Sequence, residues 1–418
     1  MSRAARAGAF ALAAGCAAGL ELARGHSDWG PSEGVYAMSA RLFAEGGDLY
    51  GELVASQPPW LYLFGAGTLL VHDSLDFLRA ACGLLTVVTA LLASEAVWRL
   101  TASRAAAVVA APAVVLTPWA VHQHGLLLPE AIGAPLLLGA ALAASRPGGG
   151  RWAGIAAGVA PFVKLPFLLP AVAVLLFSVD RTRAVRWAAG TALVQALAFT
   201  AVFGTGFWEQ IVVAQAQAGK PLNDAIGPWV QLAWNVGPLV LPAALALRWR
   251  SQARDPELLR VLAAVAAALL LTLVSIAKPG TGLNVAVPAE ALLVPLAVAG
   301  VLIAVRRRPA LALVPALAAL FLLAQSASLL ADPENPRPFH RIGSSSPGWK
   351  VLRTDDQMRA EVERLRACPE GTVYAGPPLV AFIADRPIPA DQPDDFILRA
   401  DVHEDVRARK RADGPGCP

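Results

Sequence analysis

From residue 7 onward the chain repeats one pattern, a run of Ala, Leu, Val and Gly closed by a short break that carries arginine or proline. Runs of about 17–25 apolar residues match the hydrocarbon thickness of a bilayer when wound as helices. Full spans are predicted near 7–24, 77–98, 104–121, 126–145, 187–204, 228–248, 258–277, 284–304 and 309–330. The stretch 151–180 is too long for one helix and holds Pro161, Pro166 and Pro170. Proline removes a backbone donor and breaks a helix interior, so two half-helices meeting near Lys164 are predicted there. The total is about eleven crossings, on the order that such run lengths allow. The segment 58–72, opening Pro58, Pro59, Trp60, is too short to cross comfortably and reads as an interfacial helix.

After Leu330 the pattern changes. Asp332, Pro333, Glu334, Asn335 and Pro336 form a polar linker. A helix is predicted over about 354–367, with Thr354 as N-cap candidate and Met358, Val362 and Leu365 at helical spacing. Gly371 to Tyr374 reads as a strand, and Asp385, Arg386 and Pro387 as a turn. The predicted architecture is therefore an all-α polytopic membrane body over 1–330, with an outer loop over 25–76. A small soluble α/β domain follows over 331–418.

Composition supports the division. Only 16% of the 418 residues are charged, against roughly 25% in soluble domains. The formal net charge of +4 suggests nucleic acid only until its placement is read. The chain has five lysines, and its arginines sit mostly in the breaks between apolar runs. That is the positive-inside signature of a membrane protein, not a face that tracks phosphates, so no nucleic-acid partner is expected. With Arg3 and Arg6 inside, the breaks holding Arg99 and Arg104, Arg146 and Arg151, Arg181 to Arg186, Arg248 to Arg254 and Arg306 to Arg308 all fall on the inner side. The N-terminus is then cytoplasmic, the tail extracytoplasmic, and the location the plasma or inner membrane. Residues 7–24 also fit a signal peptide; a retained helix is the reading adopted, because the loop after it needs an anchor. Of four cysteines, Cys16 and Cys82 lie in apolar runs. Cys368 and Cys417 lie in the tail, where an extracytoplasmic setting would permit a disulfide.

Candidate chemistry gathers on the outer side. The first outer loop holds Asp28, Glu33, Tyr36, Glu45 and Asp48. A carboxylate at the bilayer surface can act as a general base or hold a metal; any solvated loop also carries some acids. Lys164 lies in a proline-broken apolar stretch, where charge is costly and commonly functional, although snorkelling is the plain alternative. Lys278, before Pro279 and Gly280, is either a phosphate ligand or an interfacial anchor. Glu130 could serve a substrate or merely offset a helix dipole. Arg79 is either a phosphate ligand or an anchor. His122 and His124 lack a third ligand and read as an ordinary loop.

The order of these residues resembles a known family. Ser32-Glu33 followed by Tyr36-Ala37, then Gly46-Gly47-Asp48-Leu49-Tyr50, then Gln57-Pro58-Pro59 with Tyr62, is similar to the first outer loop of GT-C superfamily glycosyltransferases. The dolichyl-phosphate-mannose and aminoarabinose transferase-like group is the nearest in pattern. Leu128-Pro129-Glu130, the Gly154 to Pro166 half-helix with Lys164, and Lys278-Pro279-Gly280 with Asn284 and Glu290 continue the resemblance. It implies an inverting transferase that takes a sugar from a polyprenyl-phosphate-linked donor to an acceptor on the extracytoplasmic face. An acid of the first loop would be the base or help hold a divalent cation. Lys164, Lys278, Arg79, Glu130 and Tyr36 would serve the substrates. The sequence departs at one place: the family's usual Asp-Glu pair reads Ser32-Glu33 here, so the base would be Glu33 or Asp28. The tail has neither a Gly-rich phosphate loop nor a nucleophile triad, and is expected to cap the cleft. Two other classes remain open, a transporter or flippase and a non-catalytic membrane protein of the same fold. Against transport stand the absence of a repeat between halves and the one-sided clustering of acids.

Overall fold

The architecture, a computed structural model, is described over residues 3–24, 31–123, 125–217, 226–272, 283–307, scattered positions between 309 and 327, and 355–394. Helix α1 (Arg3–Arg24) opens the body, and α2 (Pro31–Ala44) and α3 (Pro59–Val71) lie in the outer loop. Next come α4 (Leu75–Thr101), α5 (Arg104–Val115), α6 (Pro118–Gln123), α7 (Pro129–Ala144) and α8 (Gly150–Val159). Then follow α9 (Leu168–Phe177), α10 (Arg181–Phe203), α11 (Ile226–Arg248), α12 (Pro256–Thr272) and α13 (Ala286–Arg307). In the tail are α14 (Asp355–Arg366) and α15 (Pro378–Ala384).

Boundaries follow local chemistry. Ser74 accepts the Phe77 N–H at the start of α4, satisfying a donor that the helix cannot, and Ser103 does the same for Ala106 in α5. Among the described residues four helices are long and apolar enough to cross a membrane singly, with spans at Arg6–Ala23, Leu75–Thr101, Arg181–Phe203 and Ala286–Arg307. The span predicted near 228–248 is one helix, α11, with Pro238 and Pro242 inside it, while those near 126–145 and 258–277 fall on the shorter α7 and α12. The run near 104–121 is divided between α5 and α6, and 309–330 falls largely outside the described residues.

Small residues set the packing. Gly150, Gly154 and Gly158 recur at one-turn intervals along α8. A Cβ on them would sit 2.6, 2.3 and 2.7 Å from the carbonyl oxygens of Asp180, Ala184 and Ala188, which recur at the same interval along α10. Helix backbones approach this closely only where no side chain intervenes. The break after α8 lies where the prolines require it. Lys164 is extended (φ −155°, ψ 127°) between short 3-10 turns at Ala160–Phe162 and Leu165–Phe167.

The arginine-bearing breaks share one end of the bundle. Arg6 and Arg146 both pair with Glu95, at 2.5 and 2.8 Å. Arg99 pairs with Asp255 and donates to the Leu142 carbonyl and the Ser145 hydroxyl. The tail docks at the other end, on the outer loop. Gly34 faces Leu379 so closely that a Cβ would lie 2.6 Å from the Leu379 nitrogen. Gln392 accepts from the Val54 N–H and donates to the Glu52 carbonyl.

The predicted α/β tail needs correction. Among the described residues it is helical, and Gly371 to Tyr374 has no strand partner. Tyr374 donates its N–H to the Pro387 carbonyl at 2.8 Å, but Pro387 has no N–H to return, so no ladder develops. Cys16 and Cys82 are free. Cys368 is disulfide-bonded; its anticipated partner Cys417 lies outside the described residues.

Candidate active site

Helix α2 begins at Pro31, whose fixed φ suits a first helical position, and carries Glu33 in its first turn. Glu33 is fully buried, and a buried carboxylate needs a charged, hydrogen-bonding partner. Arg79, in the second turn of α4, supplies it. Its Nε donates to Glu33 Oε1 at 2.9 Å and its Nη2 to Oε2 at 2.5 Å. This is the two-pronged guanidinium–carboxylate geometry that lysine cannot reproduce. The two residues, read separately in the sequence, are engaged with each other.

Tyr36 follows Glu33 by nearly one turn. It is buried edge-on to Tyr62, with ring centroids 6.3 Å apart, and its hydroxyl meets the Ser56 side chain. Burial pushes its acidity constant well above the ordinary value, and the nearby Tyr62, Asp394 and Glu130 add to the shift. Tyr36 is therefore a neutral phenol, held as a hydrogen-bonding group rather than as a base. The same electrostatic neighbourhood brings together the outer loop, the tail and the start of α7.

Glu130 sits in the first turn of α7, after Pro129, and is buried. Its Oε1 receives Lys164 Nζ. Gly133, one turn further on, explains the contact: a Cβ there would be 2.2 Å from the Phe167 ring. Only the bare glycine lets the 164–167 segment lie against α7 and deliver Lys164 to Glu130. The second carboxylate oxygen, Oε2, has no hydrogen-bond partner among the described residues.

Asp28 and Lys278 lie outside the described residues. The motif after Lys278 is visible from its second half. Glu290, fully buried in α13, accepts the Trp119 and Ala120 N–H groups at 3.4 and 3.3 Å, and Asn284 accepts from Gln123 at 3.2 Å. Among the described residues no group of three or more His, Cys, Asp or Glu side chains could hold a metal.

One buried residue escaped the sequence reading. Arg41, on the last turn of α2, donates to the Phe382 carbonyl at 2.7 Å, lies 3.6 Å from the centre of the Phe382 ring, and pairs with Asp73 at 2.9 Å. It fastens the tail to the helix that carries Glu33 and Tyr36. Nothing in the local sequence distinguishes Arg41 from an interfacial anchor, because its partner is 341 residues away.

No family model matches the sequence, and no curated protein matches it. Among solved structures, the Archaeoglobus fulgidus oligosaccharyltransferase in complex with zinc and sulfate aligns at a TM-score of 0.47 and 15% identity, over 92% of this chain and 62% of that one. ArnT from Cupriavidus metallidurans, crystallised with undecaprenyl phosphate, aligns at a TM-score of 0.60 and 14% identity, over 97% of this chain and 89% of that one. The chain shares the fold of that ArnT structure.

Proposed function

We propose that this protein is a membrane glycosyltransferase that moves a sugar from a polyprenyl-phosphate-linked donor to an acceptor on the extracytoplasmic face. The observation that carries the reading is the convergence of Glu33–Arg79, Glu130–Lys164 and Tyr36 on a chain with the ArnT fold. The crystallised ArnT holds undecaprenyl phosphate, and a lipid of that class is the partner proposed here.

In such a transfer the acceptor hydroxyl attacks the anomeric carbon. The bond from that carbon to the phosphate oxygen breaks, the electron pair leaves with the phosphate, and a base takes the hydroxyl proton. Glu33 is that base in this scheme. Arg79 holds both its oxygens and would exchange them for the donor phosphate, which a guanidinium also binds through two N–H groups. Arrival of the donor would therefore free the base. Asp28 is the second candidate for the role, and Lys278 a further phosphate ligand. The orientation proposed is about eleven crossings, as the run lengths allow, with the N-terminus cytoplasmic and the body over 1–330. The 331–418 tail would be extracytoplasmic. The shared end of the arginine-bearing breaks supports it.

The experiment is transfer from undecaprenyl-phosphate-linked sugars by the purified protein in lipid nanodiscs. Glu33→Gln is expected to abolish turnover and leave binding of undecaprenyl phosphate in place. Full activity in that variant would remove Glu33 from the role. A wild-type protein that neither transfers sugar nor binds the lipid would overturn the reading.

A further inference from the structure

We infer that the Glu130–Lys164 pair is a reader of sugar hydroxyls rather than a phosphate site. The inference rests on the glycosyltransferase reading and names the group on the donor that this pair would take.

Glu130 and Lys164 are both at least nine-tenths buried and satisfy each other through one carboxylate oxygen. Lys164 could reach a phosphate only by leaving Glu130, as Arg79 would leave Glu33, whereas the intact pair still has hydrogen-bonding capacity of its own. What remains is specific. Glu130 Oε2 is buried and has no hydrogen-bond partner among the described residues, so it requires a donor. Lys164 has three N–H groups, one of which is given to Glu130, and so requires an acceptor.

A phosphate oxygen accepts but does not donate to Oε2, and an ammonium donates but cannot accept from Lys164. A hydroxyl does both at once. The site is also stiff, as recognition requires. Pro129 opens α7, Glu130 sits in the first turn of that helix, and the Gly133–Phe167 approach fixes the distance to the segment that carries Lys164. Leu127, Leu128 and Phe162, next to the pair in the chain, pack in one buried cluster with Val35, Tyr36 and Met38 of the outer-loop helix that carries Glu33. Both residues belong to the membrane body, from which a lipid-borne sugar presents its hydroxyls.

The test compares binding of bare undecaprenyl phosphate with binding of the same lipid carrying glucose, mannose or arabinose, using the full chain in nanodiscs. Wild type is expected to prefer at least one glycosylated lipid over the bare one. The double variant Glu130→Gln with Lys164→Gln keeps the pair neutral, so it avoids stranding a buried charge. It should lose that preference by about tenfold, the worth of one hydrogen bond to a charged group, and retain wild-type affinity for the bare lipid. Glu130→Asp keeps the charge but withdraws the carboxylate by one methylene, and should lose the preference likewise. Retained bare-lipid binding certifies the fold in each case.

An equal fall for bare and glycosylated lipid would make the pair a phosphate site and overturn the inference, leaving the proposed function standing. An unchanged preference in both variants would overturn it as well. If wild type binds neither lipid, the glycosyltransferase reading falls and takes the inference with it.

Discussion

The two ends of the bundle both carry ion pairs, yet they treat charge differently. At the arginine end, Arg6 and Arg146 meet Glu95 with about half of each arginine side chain in solvent. At the opposite end, Glu33 and Arg79 are almost entirely enclosed, as are Glu130 and Lys164. Exposed pairs are worth little and are screened by salt. Their common placement fits the orientation proposed above, under which arginine only has to stay on its own side of the bilayer. Enclosed pairs must overcome the desolvation of two ions, and a hydrophobic replacement is often no less stable. Two such enclosed pairs are poorly explained by folding alone.

The contrast makes graded predictions. Glu33→Ala strands Arg79 in a closed site and should lower stability by about 3–5 kcal/mol, read as thermal unfolding in detergent. If Arg79→Met is added, most of that loss should return, since no unpaired charge is left behind. Failure of the second change to restore stability would mean that the carboxylate, not the pair, holds α2 in place. Arg41→Ala should have an intermediate effect, about 1–3 kcal/mol for a half-enclosed charge-assisted hydrogen bond with a ring contact. It should also make the tail more susceptible to limited proteolysis; tail cleavage at the wild-type rate would show that Gly34 and Gln392 suffice to hold the tail. Arg146→Ala should cost less than about 1 kcal/mol, and raised salt should erase the difference. A large, salt-insensitive loss there would dissolve the distinction between the two ends.

Part of this arrangement is legible in the sequence, because it depends on local rules. Proline spacing marks the break at Lys164, as observed. Arginine placement gathers the breaks on one side, and the pairs with Glu95 and Asp255 join several of them at one end. The outer-loop pattern points to the fold that ArnT shares. What escaped is long-range pairing. Lys164 and Arg79, weighed singly, look like cations awaiting a phosphate. Their neutralisation by Glu130 and Glu33 depends on residues 34 and 46 positions apart being brought together by the fold. The tail was misread for a related reason. Residues 371–374 have strand-like chemistry, but a strand also needs a neighbour able to donate, and Pro387 cannot.

The glycine contacts between α8 and α10 have a mechanical consequence. Three sockets spaced one turn apart behave like teeth. A slip of less than a full turn, about 5.4 Å, would drive a carbonyl of α10 into a side chain of α8. The two helices can therefore rock or translate only as a single beam, and the beam ends just before Lys164. Any displacement of α10 against the bundle is delivered to that lysine without slack.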